Sequence, residues 1–346
     1  MTAAIALTDT QDAAADAIRR AVELLQAGEV VALPTETVYG LGADALNEDA
    51  VAKVFAVKER PEFDPLIVHL SDREQLREVA EIPEEIESYI QQLVQEFWPG
   101  PLTIVLPKKA AIPDLVTAGM PTVAVRMSAH PIFTKVARTL GRPIAAPSAN
   151  RFGRISPTSA AAVMEELGDR IPLILDGGAC SDGLESTIVR VSPPEKNKPV
   201  YEILRAGPVT PDMLKQFGQI KKRKPGNVAK DAPGQLASHY APRTPIRLLE
   251  KPSDFVADPA KSYALLSYRE NPKDGYLDLH EWDEVAALTP GSGKQAEAAV
   301  RFFYVLRQLD HAGVDEIIAE PMSEVGLGIA MMDRLRRASH QDEAGS

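Results

Sequence analysis

The chain holds a single cysteine, Cys180, among 346 residues. That excludes an intramolecular disulfide and a cysteine-built metal cluster, and it suits a reducing compartment. No apolar run approaches the ~18 residues that a membrane-crossing helix needs. The first residues, with Asp9, Asp12 and Asp16 among their alanines, lack a basic segment followed by an apolar one, so a cytoplasmic protein is expected. Positive charge is also short: 38 Lys and Arg stand against 49 Asp and Glu, a formal net charge of −11. A protein whose whole surface binds nucleic acid or an anionic membrane is thereby excluded, and an anionic ligand would need a local cationic site. Several motifs are missing as well. There is no Walker-type phosphate loop, no G-x-G-x-x-G after the first strand, no G-x-S-x-G elbow and no His-x-x-x-His pair. The six histidines are scattered, and no metal-binding cluster is expected.

What is present fits an ordinary globular chain. A hydrophobic fraction of 45% can bury a core, and the length favours two domains. Ile18, Ala21, Val22 and Leu25 form a helical stripe ended by Gly28, and a strand is expected at 30–33. Asn47 can cap a helix that stops near Pro61. A strand at 66–70 is followed by Ser71-Asp-Arg-Glu74, which has capping-box spacing. Pro83 suits the first residue of another helix. Strands are expected at 102–106, 122–127 and 143–146, and a helix near 132–140. A further helix should open at Ser156-Pro157 or Thr158, with strands near 171–175, 186–191 and 201–204. Several strands follow one another without an intervening helix, so an α/β domain with a mixed sheet is predicted. Between 219 and 245 the pattern breaks into a Lys221-Lys-Arg-Lys224 run and a series of Pro and Gly, a linker signature. Strands at 246–249, 263–266 and 316–319, with helices at about 293–311 and through Met331 and Leu335, predict a second, smaller α/β unit.

Chemistry-grade residues collect where strands end and helices begin, the usual place for sites in α/β folds. Residues 34–42 read Pro34-Thr-Glu-Thr-Val-Tyr-Gly-Leu-Gly42 after an apolar run, and a turn needs far fewer polar groups than that. A ligand would account for the surplus. Lys58 and Arg60 end a helix, where cations also serve simply to offset the dipole. His69 alternates with apolar residues in Pro65-Leu-Ile-Val-His69. In Thr122-Val-Ala-Val-Arg126 the period of two puts Thr122, Ala124 and Arg126 on one face and Val123 and Val125 on the other. A structural ion pair and a clamp on a substrate carboxylate both explain Arg126. Ser148, Asn150 and Ser156 lie in a small-residue loop that offers donors to an anion. Hairpin turns explain the glycines near Gly183 and Gly207, but not Ser186, Thr187 and Arg205. A site of Lys, Arg, Ser and Thr without an evident nucleophile describes catalysis by position and charge, as in phosphoryl or nucleotidyl transfer.

Together with Lys58-x-Arg-Pro61, Trp98-Pro-Gly-Pro-Leu-Thr103, Ala146-Pro-Ser-Ala-Asn150 and Glu185-Ser-Thr-Ile188, these segments resemble the YrdC-like L-threonylcarbamoyladenylate synthases. His239-Tyr240-Ala-Pro242 and Gly326-Leu-Gly-Ile-Ala-Met-Met-Asp-Arg334 extend the likeness to the long, two-domain form. The resemblance implies a YrdC-like twisted mixed-sheet catalytic domain over 1–218, a linker or lid over 219–245 and a Rossmann-like α/β domain over 246–346. It implies a nucleotidyltransferase that joins L-threonine, bicarbonate or CO2, and ATP into L-threonylcarbamoyl-AMP, releasing pyrophosphate and water, for N6-threonylcarbamoyladenosine in tRNA.

By the same resemblance, Thr37, His69, Arg126, the backbone at Ala146 and Ser186 would bind threonine. Lys58, Arg60, Asp64, Thr122, Ser148, Asn150, Ser156, Arg205 and Tyr240 would bind ATP. Lys58 and Arg60 would stabilise phosphate charge, and Mg2+ is expected to assist. Glu36 and Tyr39 would support the site, with Gly40 and Gly42 allowing close backbone approach. Two departures stand out: Asp64 occupies a place where Asn is expected, and Leu236 lacks a cation common in the linker. The partners implied are the substrates and the tRNA threonylcarbamoyl-transfer machinery downstream, with no membrane. A direct tRNA contact stays open, because residues 219–231 carry five cations and one anion. Such a run otherwise reads as solvated linker, and it has no interleaved aromatics for base stacking. A related hydrogenase-maturation carbamoyltransferase would need cysteine-rich zinc modules, against which the single cysteine argues.

Overall fold

The computed structural model of the chain describes residues 2–195, 198–221 and 239–340. Most of the expected linker or lid, including Lys222, Arg223, Lys224 and Leu236, lies outside the described residues. The chain divides into two compact units: residues 1–152, 157–181 and 185–235, and residues 153–156, 182–184 and 236–346.

The first unit runs β1 (Ala4–Leu7), α1 (Gln11–Gln26), β2 (Val31–Leu33), β3 (Gly40–Asp44), α2 (Glu48–Lys58), β4 (Ile67–His69), α3 (Leu76–Val79), α4 (Glu84–Phe97), β5 (Leu102–Pro107), α5 (Asp114–Thr117) and β6 (Thr122–Arg126). It continues through α6 (Pro131–Leu140), β7 (Ile144–Ala145), α7 (Ala160–Leu167), β8 (Leu173–Asp176), β9 (Thr187–Glu195), β10 (Lys198–Arg205), α8 (Pro211–Leu214) and β11 (Gln219–Lys221). Eleven strands form one mixed sheet in the order β1-β8-β2-β3-β7-β4-β6-β5-β9-β10-β11. The expectation of a mixed sheet is met.

Strand alternation distributes the side chains between two cores. Val31 and Leu33 join α1 and α6 on one face, while Ala32, between them, joins α2, α4 and α7 on the other. Each fully buried Val or Leu in these layers contributes about 1.5–3 kcal/mol through area removed from water. Val123 and Val125 likewise enter the larger core, and Ala124 turns to a five-residue cluster with Ile67, Val105, Ile188 and Leu204. That second face, at β4, β6, β5 and β9, carries the polar residues considered below.

Several local expectations are corrected. Ser71 and Glu74 do not form a capping box; Asp72 accepts from the Gln75 amide at 3.0 Å, and the helix that follows has only four residues. Pro83 is the residue before α4, with Glu84 as the first helical residue. Neither Ser156 nor Thr158 opens α7, because residues 153–156 join the second unit and Ser159 caps the helix, accepting from Ala162 N at 3.2 Å. Residues 219–221 are not wholly linker: β11 pairs in parallel with β10. Strands β1 and β3 had no counterpart in the sequence reading.

The second unit contains β12 (Ile246–Leu248), β13 (Tyr263–Ser267), β14 (Glu284–Ala287), α9 (Gln295–Asp310), β15 (Glu316–Ala319) and α10 (Gly328–Ala338). Its four strands pair entirely in parallel, in the order β12-β15-β13-β14, as in a Rossmann-like unit. Leu249, Tyr263, Leu265, Tyr276 and Ile318 form one of its cores.

Candidate active site

The loop between β2 and β3 is set by Thr35. Its hydroxyl donates to Val38 O at 2.6 Å and accepts from the amides of Thr37 and Val38, at 3.1 and 3.2 Å. Thr35 is therefore a turn-former, and the Thr37 hydroxyl lies against it, 2.9 Å from Thr35 Oγ1. Tyr39 anchors the loop: its buried phenol donates to Gly178 O at 2.7 Å and accepts from Gly177 N at 3.2 Å. Burial, then the nearby Asp176 carboxyl, raise this phenol well above its ordinary range, so it stays neutral. Gly40 and Gly42 do allow close approach, but to protein. A Cβ on Gly42 would lie 3.1 Å from both Ile144 Cγ2 and Leu33 Cδ1.

Arg126, at the end of β6, is the hub of the amino-terminal loop. It donates to Thr37 Oγ1 at 3.0 Å and to Glu36, whose other oxygen accepts from Ser128 Oγ at 2.5 Å. All four side chains are buried. The structural ion pair foreseen as one reading of Arg126 is thus present, yet it does not exhaust the guanidinium: Nε is buried without a hydrogen-bond partner among the described residues. The parallel register sets His69 beside Arg126. Burial first, and the Arg126 charge second, hold the imidazole well below its ordinary pKa, so it is neutral at pH 7. The antiparallel register that sets Ile104 opposite Val125 carries on toward Thr103 and Arg126, and Thr103 Oγ1 lies 2.7 Å from Ser186 Oγ. Ala146 N is committed to Ile67 O at 2.9 Å, which leaves its carbonyl as the group a ligand could use.

A second group lies around the end of α2. Lys58 Nζ donates to Ser148 O at 2.5 Å and to Asn150 O. Arg60 donates to Asp64 O and Pro65 O, at 3.1 and 2.9 Å, and pairs with the Asp64 carboxylate at 2.8 Å, both side chains being buried. Burial, followed by the Arg60 charge, pulls Lys58 well below its ordinary pKa, against Asp64 and Glu166. Leu41 N bonds Pro147 O and Ala149 N bonds Tyr39 O, each at 2.8 Å, which fixes the loop that presents Ser148 and Asn150. Thr122 opens β6, four residues and about 13 Å from Arg126 at strand rise. Arg205 holds Ser186 through Nε to its carbonyl and a terminal nitrogen to its hydroxyl, each at 3.1 Å.

Ser156 and Tyr240 belong to the second unit. Tyr240 is buried there in a left-handed conformation, φ 65°, with its ring 4.2 Å from His239 and 5.6 Å from Phe303. Beside it, Arg307 donates to Ile155 O at 2.9 Å.

Two participants were missed in the sequence. Ser128 received no role, although it lies two residues beyond Arg126 and so shares its face. Thr103 was quoted within a motif but given no function. Among the described residues, no group of three His, Cys, Asp or Glu side chains could hold a metal ion. Asp64, the one carboxylate among the expected ATP residues, is engaged by Arg60. This donor set does not fit a protein-held Mg2+, which prefers one or two available carboxylates beside phosphate oxygens.

A mixed sheet that gathers buried cations and hydroxyls on one face, without a paired nucleophile, defines an α/β protein suited to binding and activating anionic substrates by charge and position. Comparison with known proteins narrows this class. Residues 23–207 match the family described as “Telomere recombination”, which covers the Sua5, YciO and YrdC proteins, and residues 209–340 match “Threonylcarbamoyl-AMP synthase, C-terminal domain”. The threonylcarbamoyl-AMP synthase of Pyrococcus abyssi is 42% identical over 330 residues, covering 93% of this chain and 94% of that protein. Its counterpart in Bacillus subtilis is 39% identical over 334 residues, covering 93% and 92%. The crystal structure of P. abyssi Sua5 complexed with L-threonine superposes with a TM-score of 0.83 at 39% identity, covering 98% of each chain. The chain belongs to the two-domain, YrdC-like threonylcarbamoyl-AMP synthase family.

Proposed function

We propose that this chain catalyses the formation of L-threonylcarbamoyl-AMP and pyrophosphate from L-threonine, bicarbonate or CO2, and ATP, with water released when bicarbonate is the carbon source. The observation that carries the reading is the row of buried polar groups across neighbouring strands, with Arg126 flanked by Thr37, His69 and Glu36. Arg126 attracts the threonine carboxylate, Thr37 and neutral His69 orient the amino acid, and the Ala146 carbonyl and Ser186 complete its subsite. The threonine amine captures CO2 or bicarbonate, and the resulting carbamate oxygen attacks the α-phosphate. Lys58 and Arg60 stabilise the charge that grows on the departing pyrophosphate, with Thr122, Ser148, Asn150, Ser156, Arg205 and Tyr240 as further ATP contacts. No protein nucleophile is required. Mg2+ would accompany the nucleotide as part of the substrate, and the ion pair with Arg60 argues for Asp64 as a counter-ion rather than a ligand.

In this reading, residues 1–218 together with β11 are catalytic, 222–245 form a lid and 246–346 a separate Rossmann-like domain. The product serves tRNA modification in the cytoplasm through a downstream transfer machinery. No helix among the described residues is long and apolar enough to cross a membrane. The decisive assay is pyrophosphate release from ATP with threonine and bicarbonate each omitted in turn. Release must require both, and release that ignored threonine would sink the proposal. For the lid, unchanged activity after deletion of residues 219–346 would be the contrary result.

A further inference from the structure

Thr103 and Ser186 form a hydroxyl pair with one proton too many. Both are fully buried, and their oxygens lie 2.7 Å apart. The pair offers two O–H donors, and a hydroxyl oxygen carries two lone pairs. Arg205 has only donors to offer, so its contact with Ser186 Oγ at 3.1 Å takes one Ser186 lone pair. If Thr103 donates to Ser186, both lone pairs of Ser186 are filled and its own proton points to a third partner. If Ser186 donates to Thr103 instead, the surplus proton sits on Thr103, for which no other hydrogen bond is found among the described residues. Stranding a donor there would cost about 1–3 kcal/mol.

The surroundings leave Ser186 little freedom to choose another arrangement. Thr187 N, next in the chain, bonds Pro101 O at 3.0 Å, and the Thr187 hydroxyl bonds Val209 O at 2.7 Å. On the opposite side Gly207 lies so close that a Cβ there would meet Glu185 O at 2.4 Å and Thr187 N at 2.5 Å. Backbone and guanidinium thus hold Ser186 Oγ in place, and when Thr103 donates to it the Ser186 proton turns to a third partner.

We propose that Thr103 is a positioning residue that makes Ser186 an obligatory hydrogen-bond donor to an oxygen of the bound amino acid, its carboxylate or the carbamate formed from it. The assignment rests on the reading of Ser186 as part of the threonine subsite. It also says which group cannot lie there: an ammonium has only protons to give, and Ser186 has no lone pair left to accept one. Arg205, expected at the nucleotide, holds the same serine and so joins the two subsites through a single side chain.

The test is titration calorimetry of the full-length enzyme with L-threonine, and separately with ATP, alongside steady-state kinetics. Thr103→Val keeps the shape of the side chain and removes only its hydrogen bond. It should weaken threonine binding and raise KM for threonine about tenfold, with kcat and ATP affinity nearly unchanged, and Thr103→Ser should restore the parent values. In a Ser186→Ala background, Thr103→Val should add nothing further. Parent-like threonine affinity in Thr103→Val, or equal loss of threonine and ATP binding, would overturn the proposal. Should the valine variant fail to fold, Thr103→Ala carries the same expectation. If the parent enzyme itself binds no threonine, the functional reading fails; if the parent binds it and Thr103→Val does too, only the role of Thr103 fails.

Discussion

The two ends of the candidate site satisfy their cations by different means. Around Arg126, side chains satisfy side chains: Thr37, Glu36 and Ser128 form one buried network. Around Lys58 and Arg60, the acceptors include four backbone carbonyls, and the Asp64 carboxylate pairs with Arg60. The first end is set before any ligand arrives. The second holds Lys58 and Arg60 in part on neutral carbonyls, and a phosphate offers hydrogen bonds roughly twice as strong. The end proposed for the amino acid is therefore preorganised, and the end proposed for phosphate can trade carbonyls for stronger acceptors.

The largest effect should follow from breaking the preorganised end. Arg126→Ala leaves Glu36 buried with Ser128 as its side-chain hydrogen-bond partner among the described residues, and loss of one partner of a buried ion pair costs about 3–5 kcal/mol. Urea denaturation should show that loss, and threonine-dependent pyrophosphate release should vanish. Adding Glu36→Gln should recover much of the stability and none of the activity. If Arg126→Ala were as stable as the parent, the contrast between the two ends would not hold.

Lys58→Met tests the other end. The ammonium is already disfavoured by burial, so an apolar side chain of similar volume should offset much of the cost of the two orphaned carbonyls, about 1–3 kcal/mol each. Activity should fall far more than stability does.

The pH dependence of stability separates the ends further. His69 is held well below its ordinary pKa and His130 is lowered as well, in both cases by burial first. As pH falls below about 6.5, the unfolded chain takes up these protons while the native imidazoles resist them, so stability declines, by at most about 1.4 kcal/mol per pH unit per group. Above that pH neither state binds the proton and the contribution is flat. Denaturation of His69→Gln between pH 5 and 6.5 should show a slope shallower by one proton, and an unchanged slope would mean that His69 titrates normally.

How much of this was legible beforehand depended on the range of the forces involved. The alternation of Thr122, Ala124 and Arg126 is local geometry, and the strand obeys it. Strand β3 was hidden, because Gly-Leu-Gly-Ala-Asp has little strand propensity; its neighbours β2 and β7 make it a strand, and a Cβ on Gly42 would press to 3.1 Å from Leu33 and Ile144. The start of α7 was misplaced for a similar reason, since residues 153–156 are drawn into the second unit and Ser159 is left to cap. In the site, Arg126 announced itself as an arginine that needed a partner. That the partner would be Glu36, ninety positions earlier, is a tertiary fact no spacing displays.

Asp64 supplies the finest test, because the resemblance and the geometry point in opposite directions. As an ATP contact, its removal should weaken nucleotide binding. As the counter-ion of Arg60, at 2.8 Å and buried, it competes with phosphate for the guanidinium, and its removal should help. Asp64→Asn keeps the side chain's size and the Asp64 O and Pro65 O contacts that hold Arg60 in place. It takes away only the negative charge, so ATP should bind several-fold more tightly, by roughly 1 kcal/mol on the scale of one weakened charged hydrogen bond. The same variant should lose some stability in the absence of nucleotide, because Arg60 loses the buried carboxylate it pairs with. Titration calorimetry with ATP reads the sign directly. Weaker binding would return Asp64 to the nucleotide, and the phosphate end would then be as preorganised as the end around Arg126.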